Sequence, residues 1–79
     1  MSDVLAGRIL QLAADTLGEP VDRVSRSSGP HELESWDSLA HLNLVVALED
    51  EFGLEFGPDD IASMSSIGAI VELIQKRLD

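Results

Sequence analysis

The chain has 79 residues, of which 44% are hydrophobic, and its five basic and fifteen acidic residues give a net charge of −10. This length allows one small domain, expected to span residues 1–79, with a single modest core and no second lobe. The lack of cysteine excludes disulfides and thiolate metal sites, and the negative charge excludes nucleic acid and anionic membranes as main partners.

The beginning of the chain predicts an amphipathic helix over residues 3–17. Asp3 is suited to the N-cap of this helix and Gly18 to its end. Apolar residues recur at the three- and four-residue spacing that places side chains on one helix face. They are Val4, Leu5, Ile9, Leu12, Ala13 and Leu17.

The same N-terminal residues bear on where the protein is found. They contain neither the basic residues nor the uninterrupted apolar stretch of an export signal. No apolar run in the chain approaches the roughly 20 residues that a bilayer-spanning helix needs. We therefore expect a cytoplasmic protein.

Residues 18–37 predict one long loop, because helical periodicity fails there and Pro, Gly and Ser are frequent. We expect Val21, Val24 and Leu33 to anchor the loop to the core, and Trp36 to pin its end against the following helix. A loop of this length in a compact domain is functional, tied down by its side chains, or a sign that part of it is wrongly assigned as loop. It also leaves room for a helical turn.

A second helix is predicted over residues 38–52, which contain strong helix formers and neither Gly nor Pro. Asp37 is suited to its N-cap and Gly53 to its end. One side of this helix provides residues for the core. They are Leu44, Leu48 and Phe52, with His41 and Val45 beside them.

The second helix also carries an apolar stripe on its far side. This stripe consists of Leu39, Leu42 and Val46, interleaved with Glu49 and Asp50. Because no Lys or Arg occurs between Ser27 and Gln75, the far side combines apolar surface with negative charge and favours docking of a basic protein partner. The alternative is that the long loop folds back and covers some of these side chains.

Two further helices are predicted over residues 58–64 and 66–78. Pro58 is suited to the first position of the short third helix, and Ser65 and Ser66 offer a cap for the last one. The inward residues are Ile61 and Met64 in the third helix and Ile67, Ile70, Val71, Ile74 and Leu78 in the last. Strand alternation is absent, so the predicted fold is all-α: a four-helix bundle of three longer helices and one short helix.

The motif Asp37-Ser38-Leu39 stands at the start of the second helix. Asp-Ser before a helix is usually only a cap, but here three segments form a longer pattern. They are Trp36 to Leu44, then Leu48-Glu49-Asp50-Glu51-Phe52-Gly53, then Ile61 with Ser66-Ile67. Together they resemble the carrier-protein family, which comprises the acyl carrier proteins of fatty acid and polyketide synthesis and the related peptidyl and aminoacyl carriers.

The resemblance implies that a phosphopantetheinyl transferase attaches 4'-phosphopantetheine to the oxygen of Ser38. Acyl or aminoacyl groups would be held as thioesters on this arm and presented to partner enzymes, while the chain itself catalyses nothing. The position is physically suitable, because a phosphodiester at a helix start meets unpaired N–H groups and the positive end of the helix dipole.

The resemblance also assigns roles around Ser38. Asp37 matches the acidic residue beside the modified serine. The face that partner enzymes recognise matches Leu39, Leu42, Val46, Glu49 and Asp50. The implied partners are the transferase, an acyl- or aminoacyl-loading ligase or transferase, and downstream synthase enzymes with basic docking patches, and we expect the carrier to be a monomer.

Two further features refine the resemblance. Positions that in acyl carriers can line a space for the fatty chain match Leu44, Leu48, Phe52, Phe56 and Ile61. Ser35-Trp36 before the motif, together with His41, is more similar to stand-alone carriers of specialised polyketide-like or aminoacyl pathways than to the carrier of ordinary fatty acid synthesis.

Of the other interpretations, a hydrolase and a metal site are disfavoured, and a protein-binding adaptor is kept as the alternative. Ser38, His41 and Asp37 do not predict a hydrolase, because residues in one helical turn rarely reach triad geometry and the chain has no G-x-S-x-G motif. Neither His31 nor His41 has neighbours at metal-ligand spacing, so no metal site is expected. An unmodified acidic helical adaptor, which would bind a basic protein through the same outer face, remains the alternative function.

Overall fold

The computed structural model describes residues 2–30 and 32–78, without the side chains of Ser2 and Asp3. The solvated loop position predicted for His31 and the cap predicted for the Asp3 side chain lie outside this description. Throughout the described part the chain is helical or irregular and forms no strand. The helices are α1 Ser2–Leu17, α2 Ser38–Phe52, α3 Pro58–Ser63 and α4 Ile67–Leu78, with a 3-10 turn at Val21–Arg23 in the loop after α1.

The predicted all-α bundle of three longer helices and one short helix is therefore confirmed. None of the helices in the described residues has both the length and the apolar character that a membrane crossing needs. α1 packs against both α2 and α4, and α3 packs against α4.

Local sequence signals determine where the helices begin and end. Gly18 and Gly53 end α1 and α2 in the left-handed conformation, with φ of 73° and 64°, which glycine adopts without a steric cost. α3 begins with Pro58, and α4 is capped by Ser66, whose Oγ accepts the Ala69 N–H at 3.2 Å. Because this capping serine precedes the helix, α4 begins at Ile67, one residue later than predicted.

The core lies between α1, α2 and α4 and is completed by loop residues. Its largest fully buried side chains are Trp36, Ile9, Leu44, Leu48, Met64, Ile67, Ile70, Ile74 and Val71. Within the described residues, every buried side-chain nitrogen or oxygen has a hydrogen-bond partner. The core is therefore apolar and its few polar groups are satisfied.

Three predicted core or anchor positions are wrong, because Val4, Leu78 and Val21 are exposed. Other predicted positions are half-buried and pack against the edge of the core, namely Leu5, Leu12, Leu33, Phe52 and Ile61. The Arg8 guanidinium lies 5.1 Å from the centroid of the Phe52 ring. Helical periodicity gives the direction of a side chain around its axis. It does not show whether a neighbouring helix extends as far as the terminal turns, where Val4 and Leu78 lie.

The long loop is held by its backbone as well as by its side chains. The carbonyls of Arg26 and Ser28 accept the N–H groups of Gly68 and Ile67, at 2.8 and 3.0 Å. These donors belong to the first turn of α4, which has no intrahelical acceptors for them. The loop therefore caps α4 while α4 fixes the loop. The predicted anchor Val24, two residues before Arg26, is buried.

Candidate functional site

The start of α2 presents Ser38 to solvent. Asp37 has extended backbone, with φ of −92° and ψ of −172°, and its Oδ1 accepts the Ala40 N–H at 2.9 Å. This is the geometry of an N-cap, and it makes Ser38 the first helical residue. Since Ser38 is exposed, its hydroxyl is open to a large reactant such as another enzyme's active site.

Behind Ser38, a hydrogen-bonded bridge joins the loop to α2 and α3. The Trp36 Nε1–H donates to His41 Nδ1 at 2.9 Å, and His41 Nε2 lies 3.1 Å from the Ile61 carbonyl oxygen. An indole nitrogen can only donate, so Nδ1 is the acceptor and the His41 proton is on Nε2, which donates to Ile61. We call this set of three residues the Trp36–His41–Ile61 bridge.

The bridge confirms that Trp36 anchors the loop against α2, and it gives His41 a structural role. The Trp36 side chain is 1% exposed, and the His41 ring stacks near it with centroids 6.0 Å apart. Both ring nitrogens of His41 are occupied. His41 is therefore not placed to act as a base for Ser38.

A cleft of about 800 Å³ opens between α2 and α3 next to Ser38. The bridge residues line it together with parts of the loop and the α3–α4 connection. The lining residues are Pro30, Trp36, Asp37, Ser38, His41, Leu42, Ile61, Ala62, Met64 and Ser65. A group attached to Ser38 would have this mainly apolar cleft beside it.

The outer side of α2 carries an exposed apolar strip, which consists of Leu39, Leu42 and Val46. These side chains are 69%, 54% and 63% exposed. The long loop does not cover them, so the alternative of burial under the loop is wrong. Asp50 is exposed at the end of this strip, and Glu49 is half-buried.

Glu49 has an internal role that the sequence did not reveal. Its Oε2 accepts the Phe56 N–H at 2.9 Å. This bond ties the connection between α2 and α3 to the end of α2. One Glu49 oxygen is thus already used within the fold, whereas the Asp50 carboxylate is exposed to solvent.

Arg77 in α4 binds both the same connection and α3. It donates to Asp60 Oδ2 at 3.0 Å and to the Glu55 carbonyl at 2.6 Å. Its guanidinium also lies 5.6 Å from the centroid of the Phe56 ring. The sequence placed Arg77 only at the negative end of the α4 dipole, and these tertiary contacts were not predicted.

In the described residues no cluster of three or more His, Cys, Asp or Glu side chains could hold a metal ion. The arrangement around Ser38 is an accessible hydroxyl at a helix start, next to an apolar cleft and an acidic, apolar strip. Such a site is suited to covalent attachment by another enzyme and to contact with further proteins.

Comparisons with known proteins agree with this geometry. The sequence profile described as phosphopantetheine attachment site matches residues 7–74. The chain is 39% identical over 77 residues to the acyl carrier protein of Sinorhizobium fredii and equally to the acyl carrier protein AcpP of Rhizobium meliloti, with 96% of each chain covered. It is 33% identical over 66 residues to the acyl carrier protein of Saccharopolyspora erythraea, covering 84% of this chain and 70% of that one.

One solved structure shares the fold. The solution NMR structure of the holo acyl carrier protein from Geobacter metallireducens superposes with a TM-score of 0.82 at 22% identity. The superposition covers 92% of this chain and 84% of that chain.

Proposed function

This chain belongs to the family of acyl carrier proteins, and we propose that its 4'-phosphopantetheine arm is attached to the hydroxyl of Ser38. The protein is a non-catalytic carrier that holds acyl groups as thioesters on the thiol of this arm. The observation that carries the Ser38 proposal is its exposed position as the first residue of α2, inside the matched residues 7–74.

The backbone around Ser38 fits a phosphodiester. The Asp37 side chain accepts the Ala40 N–H, and the Asp37 carbonyl accepts that of His41. The N–H groups of Ser38 and Leu39 come earlier in the helix, where helix geometry supplies no acceptor. A phosphate on Ser38 therefore lies at the positive end of the α2 dipole, where negative charge is stabilised.

The attachment is a phosphoryl transfer onto Ser38. The serine oxygen forms a bond to the phosphorus that carries the pantetheine half of coenzyme A, and the pyrophosphate bond breaks. Adenosine 3',5'-bisphosphate leaves with the electron pair of that bond, and the hydroxyl proton passes to a base of the transferase. Since both His41 ring nitrogens are engaged, His41 does not supply that base.

The outer strip of α2 is the proposed contact surface for partner enzymes. Exposed Leu39, Leu42 and Val46 provide apolar area, and Asp50 at the end of the strip, with the second oxygen of Glu49, provides negative charge. This combination complements an apolar patch with basic residues around it. We assign it to the phosphopantetheinyl transferase and to the enzymes that load and process the acyl group.

Intact mass measurement tests the Ser38 assignment. The wild-type apo protein is incubated with coenzyme A and a phosphopantetheinyl transferase, beside Ser38→Ala and the control Ser65→Ala, which changes an exposed serine of the same cleft. We expect the wild type and Ser65→Ala to gain the mass of one arm and Ser38→Ala to gain none. Mass gain by Ser38→Ala would overturn the assignment.

The adaptor alternative has no support in the comparisons. Only a wild type that gained no mass in this experiment would favour the adaptor function. The specialised pathway, the cytoplasmic location and the monomeric state stay predictions. Mass spectrometry of the loaded protein from its native host would identify the cargo directly.

A further inference from the structure

We propose that the Trp36–His41–Ile61 bridge determines the cargo that this carrier accommodates, by keeping an acyl chain in the surface cleft and out of the core. The inference rests on the proposed attachment at Ser38. It makes His41 a specificity-determining residue, one turn along α2 from the arm.

The first observation is where the bridge lies. All three of its residues line the cleft beside Ser38, and they come from the loop, from α2 and from α3. α3 packs mainly on α4, and the hydrogen bond from His41 to the Ile61 carbonyl ties α3 directly to α2 as well. A chain that passed from the cleft into the interior between α2 and α3 would have to separate these two groups.

The second observation is what separation would cost. Trp36 is almost fully buried, and His41 and Ile61 are half-buried. An apolar chain inserted between them offers no donor or acceptor, so the Nε2–H and the carbonyl would lose each other as partners in a partly buried place. Leaving polar groups unpaired costs more than the net gain of an ordinary hydrogen bond to the extent that water is excluded from them. The bridge is therefore selective against apolar groups in particular.

The third observation concerns what lies further along the same face of α2. Leu44 and Leu48 follow His41 toward the core, and both are completely buried. Leu44, Leu48 and Trp36 belong to one continuous hydrophobic cluster. An entering chain would have to displace packed side chains after breaking the bridge, which makes the surface cleft the favoured location for the cargo.

A short acyl group fits this arrangement, because it can lie against the apolar walls of the cleft without reaching past His41. A long acyl chain has room along the cleft, which holds about 800 Å³, but it does not pass His41 into the core. Its additional methylene groups therefore stay partly in contact with water and stabilise the fold less than groups buried in the core would.

The test compares acyl chains of different length on the same protein. Phosphopantetheinyl transferase and acyl-coenzyme A donors load wild type, His41→Ala and His41→Gln with acetyl, hexanoyl or dodecanoyl arms, and intact mass verifies each product. Melting temperature and Trp36 emission, from the only tryptophan in the chain, are then measured for every form.

We expect the wild-type melting temperature to change little from acetyl to dodecanoyl, since a surface cleft buries the chain only in part, and the Trp36 emission maximum to stay the same. In His41→Ala the opened gap should admit the chain, so the melting temperature should rise from acetyl to dodecanoyl, and Trp36 emission should shift with it. Gln can accept from Trp36 and donate to Ile61, so His41→Gln should behave like the wild type.

Two outcomes would overturn the inference. One is a wild-type melting temperature that rises with chain length as much as that of His41→Ala, and this result needs no variant to interpret. The other is a folded His41→Ala variant whose melting temperature does not depend on the length of the acyl chain. Failure of the wild type to gain any acyl arm would instead contradict the attachment at Ser38, so mass distinguishes the two failures.

Discussion

The N-cap at Asp37 offers a direct measure of how the start of α2 supports modification of Ser38. Asp37→Ala removes the oxygen that accepts the Ala40 N–H at 2.9 Å, whereas Asp37→Asn keeps an oxygen there and removes only the negative charge. The first turn of α2, which contains Ser38, depends on this hydrogen bond. The pair of variants therefore separates the geometry of the cap from its charge.

The expected magnitudes follow from the two contributions. Loss of an N-cap acceptor costs about 1 kcal/mol, within a range of about 0.5–2. Loss of the charge at the helix dipole costs roughly 0.3–1 kcal/mol at low salt. For a domain of this size 1 kcal/mol corresponds to about 4–8 °C in melting temperature. Asp37→Ala, which loses both contributions, should therefore melt several degrees below the wild type and clearly below Asp37→Asn, which loses only the charge.

Thermal unfolding of the apo proteins, followed by circular dichroism at low salt, measures the stability of the variants. The rate of arm attachment, followed by intact mass, measures its consequence for Ser38. We expect Asp37→Ala to be modified more slowly than Asp37→Asn, because its first turn frays. Equal melting of Asp37→Ala and wild type would refute the role of the cap. Slow modification of an Asp37→Asn protein that melts normally would show instead that the transferase reads the charge.

Three further predictions concern the surface, the charge and the helices. Val46→Glu should change stability by about 0.5 kcal/mol or less yet slow acyl transfer by partner enzymes. The control Val4→Glu, at a position of similar exposure on α1, should leave transfer unchanged. A large drop in the melting temperature of Val46→Glu would contradict the exposed position of this side chain. Moderate sodium chloride should raise the melting temperature of the apo protein, because it screens the repulsion among acidic side chains in a chain of net charge −10. A melting temperature that falls when salt is added would contradict this. Gly7→Ala should stabilise the protein by about 0.5–1 kcal/mol, because the added Cβ would meet no atom within 4 Å beyond the adjacent residues and the backbone of its own helix. Gly68→Ala should melt below Gly7→Ala, because its Cβ would lie 3.1 Å from the Arg26 carbonyl oxygen. Calorimetry of both variants checks the order.

The sequence predicted the helices well because their signals are local. Apolar spacing, the cap at Asp37 and the glycine at position 53 each depend on a few neighbouring residues, and they define α2 with the observed bounds. The same spacing placed Leu39, Leu42 and Val46 on one side of the helix, and their exposure confirms the predicted apolar stripe.

The contacts that shape the site could be predicted only in part, since they join distant parts of the chain. Trp36 was expected to pin the loop against α2, and it does. The acceptor of the His41 ring is a backbone carbonyl at Ile61, which carries no sequence signature. For the same reason the bond from Glu49 to the Phe56 N–H was not predicted, and Glu49 was assigned to the partner face alone.

The hydrogen bonds between the loop and α4 make two distant segments open together. The amide protons of Ile67 and Gly68 are bound by carbonyls of Ser28 and Arg26, so neither can exchange with solvent deuterium until the loop detaches. Their exchange rates therefore report the lifetime of the ordered loop, although the bonded residues lie 39 (Ser28 and Ile67) and 42 (Arg26 and Gly68) positions apart in the chain. A partner enzyme that tightens the loop on docking would slow exchange at the start of α4 without touching it.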